Sequence, residues 1–491
     1  MALITIKNLT FHYEGSYDHV FENASFSIDT DWKLGFIGRN GRGKTTLLKL
    51  LMGKYPYSGS ISSSVEFDYF PFEIEDDTEL AVDIAERVSG VDEKWRLLRE
   101  INLLEMDESV LYRPFCTLSG GEKTRILLAA LFLKEGNFLL IDEPTNHLDM
   151  DARRAVAKYL NGKRGFILVS HDRAFLDECI DHVLSINRAT IEVMRGNYSS
   201  WQREKDRRDN YEISENARLT SEIERLREAA RRTASWSDRL ESTKIGSGAG
   251  DRGYIGAKSA KMMRHSKAQQ SRINREIEKK EGLLHDVEYD EKLKLHPEEY
   301  FKETLIHASE LALYYNERQI CNGIDFTLKR GERIALIGSN GCGKSSVLKL
   351  ILGQDIEYTG ILNIGSRLKI SYVPQDMSFL KGSLDAFANE CEIDMTLFKT
   401  ILRKLDFKRV QFEKDMGELS MGQKKKVLIA RSLCEQAHLY IWDEPLNYVD
   451  VISRLQIEAL ILEYRPTMLF VEHDRAFVSE IATRSIELQG R

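Results

Sequence analysis

Cysteine is scarce. Six residues in 491 (Cys116, Cys179, Cys321, Cys342, Cys391 and Cys434) are scattered, and none forms a CxxC pair. That excludes a disulfide scaffold and a zinc module, and it suits a reducing, cytoplasmic location. Long apolar runs are also missing. The longest, Ile126 to Leu133, has eight residues, against the ~18 that a membrane helix needs. Met1 to Thr10 carries no basic stretch followed by a long apolar one, so no secretory leader is expected. Excess positive charge is absent as well. The formal charge is -7, which for the chain as a whole argues against a polyanion binder. What is present is 42% hydrophobic and 30% charged residues with a mean hydropathy of -0.37. At ~150 residues per domain the length implies roughly three domains.

The chain repeats itself. GRNGRGKTT at 38–46 returns as GSNGCGKSS at 338–346, and LSGGE at 118–122 as LSMGQ at 419–423. IDEPTNHLD at 141–149 returns as WDEPLNYVD at 442–450, and SHDRAF at 170–175 as EHDRAF at 472–477. The offsets stay between 300 and 302. Two copies of one domain, residues 1–200 and 304–491, therefore flank a middle segment, 201–303. Within each copy short apolar runs alternate with helical patterns. Trp32 to Ile37, Phe138 to Ile141, Ile334 to Ile337 and His438 to Trp442 read as buried strands. Thr45 to Met52 and Ser345 to Leu352 read as helices. The expected class is α/β, a mostly parallel sheet wrapped by helices, in tandem.

GxxxxGK[ST] between a strand and a helix is a phosphate-binding loop. Gly38, Gly41 and Gly43 allow a tight turn that aims backbone N–H groups at phosphate oxygens, with Arg39, Asn40, Arg42 and Thr46 in the same stretch. Lys44 reaches the terminal phosphates and Thr45 offers a Mg2+ ligand; the helix N-terminus adds partial positive charge. Gly338, Ser339, Asn340, Gly341, Cys342, Gly343, Lys344, Ser345 and Ser346 repeat the arrangement. Asp142-Glu143 and Asp443-Glu444 are carboxylate pairs ending apolar strands. The first acid suits Mg2+, usually through water. The second is placed to orient or deprotonate an attacking water. Ser119, Gly120, Gly121 and Glu122, and in the second copy Ser420, Gly422 and Gln423, open helices with small residues, a further phosphate-binding surface. His171 and His473 follow apolar strands and are candidates for a γ-phosphate contact.

The order of these motifs (P-loop, LSGGE, DEPTNHLD, HD) resembles that of ATP-binding cassette ATPases, over the whole of each copy. The resemblance implies ATP and Mg2+ as ligands. It also implies head-to-tail pairing, in which each ATP lies between one P-loop and the other copy's signature. Tyr13 and Tyr315, each just over 20 residues before a P-loop, match the family's adenine-stacking aromatic. Gln375 matches the family's glutamine-loop residue, which reaches the metal; the first copy has Phe72 there. Met421 replaces the first glycine of the signature pair. Both departures fall in the site that pairs the first P-loop with the second signature, so the two sites should be unequal.

The middle segment reads as an antiparallel helical hairpin. Leu219, Ile223, Leu226, Ala230 and Thr233 recur at coiled-coil spacing. Ile273, Ile277 and Leu284 recur on the return, and the glycine-rich GSGAGDRGYIG at 246–256 lies between. About 30 helical residues reach roughly 45 Å. Residues 231–280 hold 13 Lys+Arg against 5 Asp+Glu in a chain of net charge -7. A basic tip with Lys244, Arg252, Tyr254, Lys258, Lys261, Arg264 and Lys267 suits a nucleic-acid backbone with stacking opportunities.

Two cassettes fused by a long basic linker, with GNYSSW at 196–201 leading into it, resemble the ABC-F class of translation-associated ATPases. In that class the linker enters the ribosomal exit site and its tip approaches the peptidyl transferase centre. The implied partners are large-subunit rRNA and exit-site tRNA, with the cassettes pairing inside a monomer and no membrane involved. DWKLGFIGRNGRGKTTLL at 31–48, YFPF at 69–72 and WDEPLNYVDV at 442–451 resemble the Lsa/Vga-type resistance members, which dislodge lincosamides, pleuromutilins and streptogramin A compounds. Lys44 to Ser119 spans 75 residues and Lys344 to Ser420 spans 76. That leaves no room for the inserted arm of many ABC-F proteins and weakens the reading as a housekeeping translation factor. A transporter ATPase subunit predicts a short linker and a glutamine in both copies. A DNA-repair or chromosome ATPase predicts zinc-binding cysteines or far longer coils.

Overall fold

The computed structural model describes residues 2–14, 19–91, 93–134, 136–146, 148–186, 191–242, 268, 271–277, 279, 293–315 and 318–488. The chain divides into two compact units, one of Met1–Trp201 with Asp290–Arg491 and one of Gln202–Tyr289.

In the first copy the strands are β1 (Leu3–Phe11), β2 (Phe21–Asp29), β3 (Lys33–Ile37), β4 (Ser58–Ser62), β5 (Glu66–Phe70), β6 (Asn137–Asp142), β7 (Phe166–Val169), β8 (His182–Ile186) and β9 (Ile191–Arg195). The main sheet has the order β5-β6-β7-β3-β8-β9, parallel except for β9. A second sheet, β2-β1-β4, is antiparallel. The second copy has β10 (Thr304–Tyr315), β11 (Arg318–Lys329), β12 (Arg333–Ile337), β13 (Glu357–Ile364), β14 (Ile370–Val373), β15 (Leu439–Asp443), β16 (Met468–Val471) and β17 (Arg484–Glu487). It repeats the plan with a parallel β14-β15-β16-β12-β17 sheet and an antiparallel β11-β10-β13 sheet.

The strands and helices expected at the motifs are present with ends shifted by about one residue. The antiparallel sheets were not anticipated, although β1 alternates in burial along LITIKNLTF, the signature of a sheet packed on one face.

The main strands are buried on both faces, so they feed two cores. In β7, Phe166 and Leu168 pack with the helical side, whereas Ile167 and Val169 pack towards the antiparallel sheet. Phe138 and Leu140 of β6 join that second core, Leu139 and Ile141 the first. A buried side chain of this size contributes about 1.5–3 kcal/mol, so the sheet is a stiff platform. Its C-terminal edge, where α/β sheets bind ligands, delivers the motifs from adjacent strands. The position-72 loop follows β5, the acidic pair ends β6, His171 follows β7, and the P-loop follows β3.

The helical unit is built on one helix, Tyr198–Ser242, of 45 residues, or about 68 Å at 1.5 Å per residue. Leu219 and Ile223 are buried. Residues 271–277 are helical on the return, and a groove lined by Glu222, Arg225, Leu226, Glu276 and Lys279 sets the two segments side by side. The proposed tip residues Lys244, Arg252, Tyr254, Lys258, Lys261, Arg264 and Lys267 lie outside the described residues.

The helical unit ends at Tyr289, short of the expected residue 303. Leu293 and Leu295 enter one core of the second cassette and Tyr300 the other. Tyr300 is 1% exposed and donates from its hydroxyl to the Ser366 carbonyl at 2.9 Å. Tyr300→Ala is expected to cost about 3–5 kcal/mol, and Tyr300→Phe about 1 kcal/mol. Denaturant unfolding followed in the second cassette checks both.

Candidate nucleotide sites between the cassettes

Each P-loop turns on a glycine that no other residue replaces. Gly43 caps the helix Lys44–Leu51 with φ 93°. A Cβ there would stand 2.5 Å from Val20 Cγ1. Gly343 caps Lys344–Ile351 with φ 96°. Lys44 Nζ donates to the carbonyls of Gly38 (2.7 Å) and Arg39 (3.2 Å) and to Asn40 Oδ1 (3.2 Å). Lys344 Nζ donates to Gly338 (2.9 Å) and Ser339 (2.8 Å) carbonyls. Burial lowers the pKa of Lys44, opposed by Asp450, Glu143 and Asp142.

The acidic pairs close on these loops. Thr45 Oγ1 donates to Asp142 Oδ2 at 2.8 Å, and Tyr69 donates to the same oxygen at 3.0 Å. Ser345 makes the matching bond to Asp443. Burial raises both aspartates, Asp443 to about 6.

The glutamates diverge. Burial, then the Asp142 charge, pushes Glu143 up to about 8. Burial also pushes Glu444 up, but His473, Gln375 and Lys425 outweigh it and hold the carboxyl below its ordinary value. Gln375 Nε2 reaches Glu444 Oε2 at 2.8 Å, and Asn447 Nδ2 reaches it at 2.6 Å. Phe72 instead packs against the first cassette's core. His171 Nε2 lies 3.1 Å from Glu143 Oε1, and His473 Nε2 lies 3.5 Å from Glu444 Oε1. Burial, with Lys44 and Arg454, holds His171 well below its ordinary pKa, hence neutral.

The hydroxyls and carboxylates fit a hard, oxygen-liking cation. Among the described residues the buried Asp443 Oδ1 has no hydrogen-bond partner, as expected where a ligand completes the set.

In the first pairing the two copies meet P-loop to signature. Asn40 Nδ2 donates to the Tyr448 carbonyl at 2.9 Å. A Cβ on Gly422 would stand 2.4 Å from that carbonyl oxygen and 3.0 Å from Asn40 Nδ2. In the second pairing the Asn340 N–H donates to Asp149 Oδ2 at 3.2 Å. Arg39 approaches Asp406 of the second copy at 3.8 Å.

Gly422 therefore carries the close approach. Met421, expected to crowd the phosphate surface, is 48% exposed. Ser119 and Ser420 cap their helices. Glu122 and Gln423 fold back onto those caps, accepting from the Ser119 N–H at 2.7 Å and the Ser420 N–H at 3.0 Å. Tyr13 bonds Thr46 at 2.7 Å and is 43% exposed beside the P-loop, and Tyr315 is equally exposed.

Sequence reasoning passed over three features. These are Tyr69, the backbone of Tyr448, and the arginines Arg153 and Arg454. Arg153 binds the Leu148 carbonyl and Asp172, and Arg454 binds the Val449 carbonyl and Asp474. Their signal was the repeated DxxxR after each acidic loop, Asp149 to Arg153 and Asp450 to Arg454.

Gly422→Ala should hinder closure of the first site at a cost of about 1–3 kcal/mol. The expected outcome is a roughly tenfold or larger rise in the ATP concentration needed for half-maximal closure, checked by an inter-cassette distance probe.

The family described as ABC transporter matches residues 21–146 and 321–447. The ribosome protection protein VmlR of Bacillus subtilis (strain 168) is 29% identical, over 99% of this chain and 87% of its own length. The energy-dependent translational throttle protein EttA of Escherichia coli (strain K12) is 27% identical, over 96% and 89%. Among solved structures, the archaeal ribosome recycling factor aABCE1, in complex with the stalk protein aP1, superposes with a TM-score of 0.64. It does so at 20% identity, covering 99% of this chain and 88% of that one. Matched by the family model in both halves, the chain belongs to the ABC transporter family, as a tandem-cassette ATPase of the ABC-F type.

Proposed function

We propose that this ATPase engages the ribosome through its helical unit and protects the peptidyl transferase centre from lincosamide, pleuromutilin and streptogramin A type antibiotics. The observation that carries the reading is the 45-residue helix Tyr198–Ser242, leading into a stretch of strong local positive charge in an otherwise acidic chain. The likeness to a ribosome protection protein runs through that segment, over 99% of the chain. Likeness to a translational throttle protein supports a second reading, a housekeeping role on the same partner. Among the described residues no helix is long and apolar enough to cross a membrane.

In the mechanism, Tyr13 and Tyr315 stack the adenine. The P-loops, with Lys44 and Lys344, bind the phosphates from one side, and Ser420, Gly422, Ser119, Gly120 and Gly121 meet them from the other. Thr45 with Asp142, and Ser345 with Asp443 and Gln375, would hold Mg2+, whose role when bound is to neutralise charge on the phosphates. Glu143 and Glu444 take the proton of the attacking water, and His171 and His473 orient the terminal phosphate. Closure on ATP then holds the cassettes together while the linker occupies the exit site, in contact with rRNA and tRNA. Hydrolysis releases it.

Glu143→Gln combined with Glu444→Gln keeps the shape and removes the bases, a loss of about 10²–10⁴ in hydrolysis. The double variant is expected to remain with 70S ribosomes on ATP-dependent cosedimentation, while the wild type cycles off. Absence of the wild-type protein from ribosomes in every nucleotide state would refute the proposal, and absence of drug protection in a translation assay would leave the housekeeping role.

Neutralising Lys258, Lys261, Arg264 and Lys267 should weaken ribosome binding. Each lost phosphate contact should lower the slope of log K against log salt by somewhat under one unit. A salt titration of binding checks this, and an unchanged slope in a folded variant contradicts it.

A further inference from the structure

The internal repeat lets each buried position be compared with its counterpart, and one exchange concerns charge. The second cassette buries Lys425 and Glu472, 1% and 2% exposed, where the first buries Thr124 and Ser170, 7% and 1% exposed. Asp142, Glu143 and Lys44 of the first copy recur as Asp443, Glu444 and Lys344. The exchange adds one cation and one anion, so it leaves the net charge unchanged. A lone buried charge is strongly destabilising. Burial works against the charge on Lys425, and Asp443, Glu472 and Glu444 support it.

Lys425 lies in the helix Met421–Cys434 that opens with the signature. Its Nζ donates to the Pro374 carbonyl at 2.9 Å and to the Asp443 carbonyl at 3.4 Å. These carbonyls belong to the peptide bonds that lead into Gln375 and Glu444. One ammonium thus joins the backbone behind the two side chains that meet at 2.8 Å, Gln375 Nε2 and Glu444 Oε2. In the first copy Thr124 is too short to span such a gap, and Phe72 offers no amide to position.

Glu472 performs the matching task at the other edge. Its Oε2 accepts from the Leu446 N–H at 3.1 Å, in the loop after Glu444. Its Oε1 accepts from the N–H groups of His473 at 2.8 Å and Asp474 at 3.4 Å. The backbone of His473 is thereby tied to the loop that follows Glu444, and His473 Nε2 stands 3.5 Å from Glu444 Oε1. In the first copy Ser170 accepts from the Asp172 N–H at 3.2 Å and meets the Thr145 hydroxyl at 3.3 Å. That loop is held there through a side chain rather than through its backbone. Hydrogen bonds with an ionised partner are roughly twice as strong as neutral ones, so the second copy has the firmer frame.

We propose that Lys425 and Glu472 are positioning residues of the second nucleotide site, exchanged as a pair for Thr124 and Ser170 of the first, and that together they hold Gln375, Glu444 and His473 in the arrangement that cleaves ATP. The inference rests on the ATPase reading of the second site and not on the ribosome reading.

The test starts from full-length Glu143→Gln protein, whose turnover reports the second site. Melting temperature, kcat and KM for ATP are measured. Lys425→Thr and Glu472→Ser should each lower the melting temperature, because each leaves a charge unmatched. The two together reproduce the residues of the first copy and should restore the parent's melting temperature. The kcat of this double variant should still fall roughly ten- to a hundredfold, with KM within about twofold of the parent, because charge balance returns and alignment does not. A merely structural role predicts that turnover returns with stability. A stable double variant with kcat within about twofold of the parent, or a double variant as destabilised as the singles, would overturn the proposal. Adding Glu444→Gln to the parent checks the underlying reading separately. Turnover should vanish, and turnover that persists overturns the base assignment and the inference with it.

Discussion

The hydrogen bond from Asn40 to the Tyr448 carbonyl sets the conditions for the rest of the cassette contact. It places a P-loop of one copy against the backbone that follows the other copy's acidic pair. Gly422 fits beneath only because it lacks a Cβ. At that spacing the first copy's Lys44 feels Asp450 of the second, and Glu143 and His171 feel Arg454. The first nucleotide site is thus electrostatically a property of both copies. The arginine links extend this inwards. Arg153 and Arg454 tie the loops that touch the opposite P-loop to the aspartates beside His171 and His473, so docking on one side and histidine placement on the other share a rigid frame.

Within that shared frame the two sites are chemically unequal. Glu444 is surrounded by donors, Gln375 and Asn447, with the buried cation Lys425 nearby. Glu143 has neither a glutamine nor that lysine, because Phe72 and Thr124 stand in their places. It sits beside Asp142 and holds its proton up to about 8. A carboxylate that must be deprotonated to act as a base is the weaker base below that pH. We propose on this ground that the first site holds nucleotide longer and the second carries the faster turnover.

Much of this was legible in the residues. The P-loops, acidic pairs, signatures and histidines were placed by the repeat, and their strands and helices follow from buried apolar runs beside glycine turns. The inequality of the sites was visible in Phe72 and Gln375. Its second expected cause, Met421, is exposed, because the close approach is made one residue later, at Gly422. A sequence shows that a glycine is replaced but not which of two adjacent positions faces the partner. The antiparallel sheets escaped notice because their strands are half exposed and polar. Residues 293–303 lie outside the repeated motifs, so the repeat alone leaves them with the linker, while three apolar side chains, Leu293, Leu295 and Tyr300, decide where they pack. Electrostatic coupling between the copies has no local pattern at all, since its partners lie between 283 (His171 to Arg454) and 406 (Lys44 to Asp450) residues apart.

The most direct test is single-turnover ATP hydrolysis in the separate Glu143→Gln and Glu444→Gln proteins, measured below and above the pH of about 8 at which Glu143 ionises. Glu143→Gln, which relies on Glu444, should keep the fast phase at both values. Glu444→Gln should lose it at the lower pH and recover part of it at the higher. A fast phase that survives in Glu444→Gln at the lower pH and disappears in Glu143→Gln would contradict the assignment of the two sites.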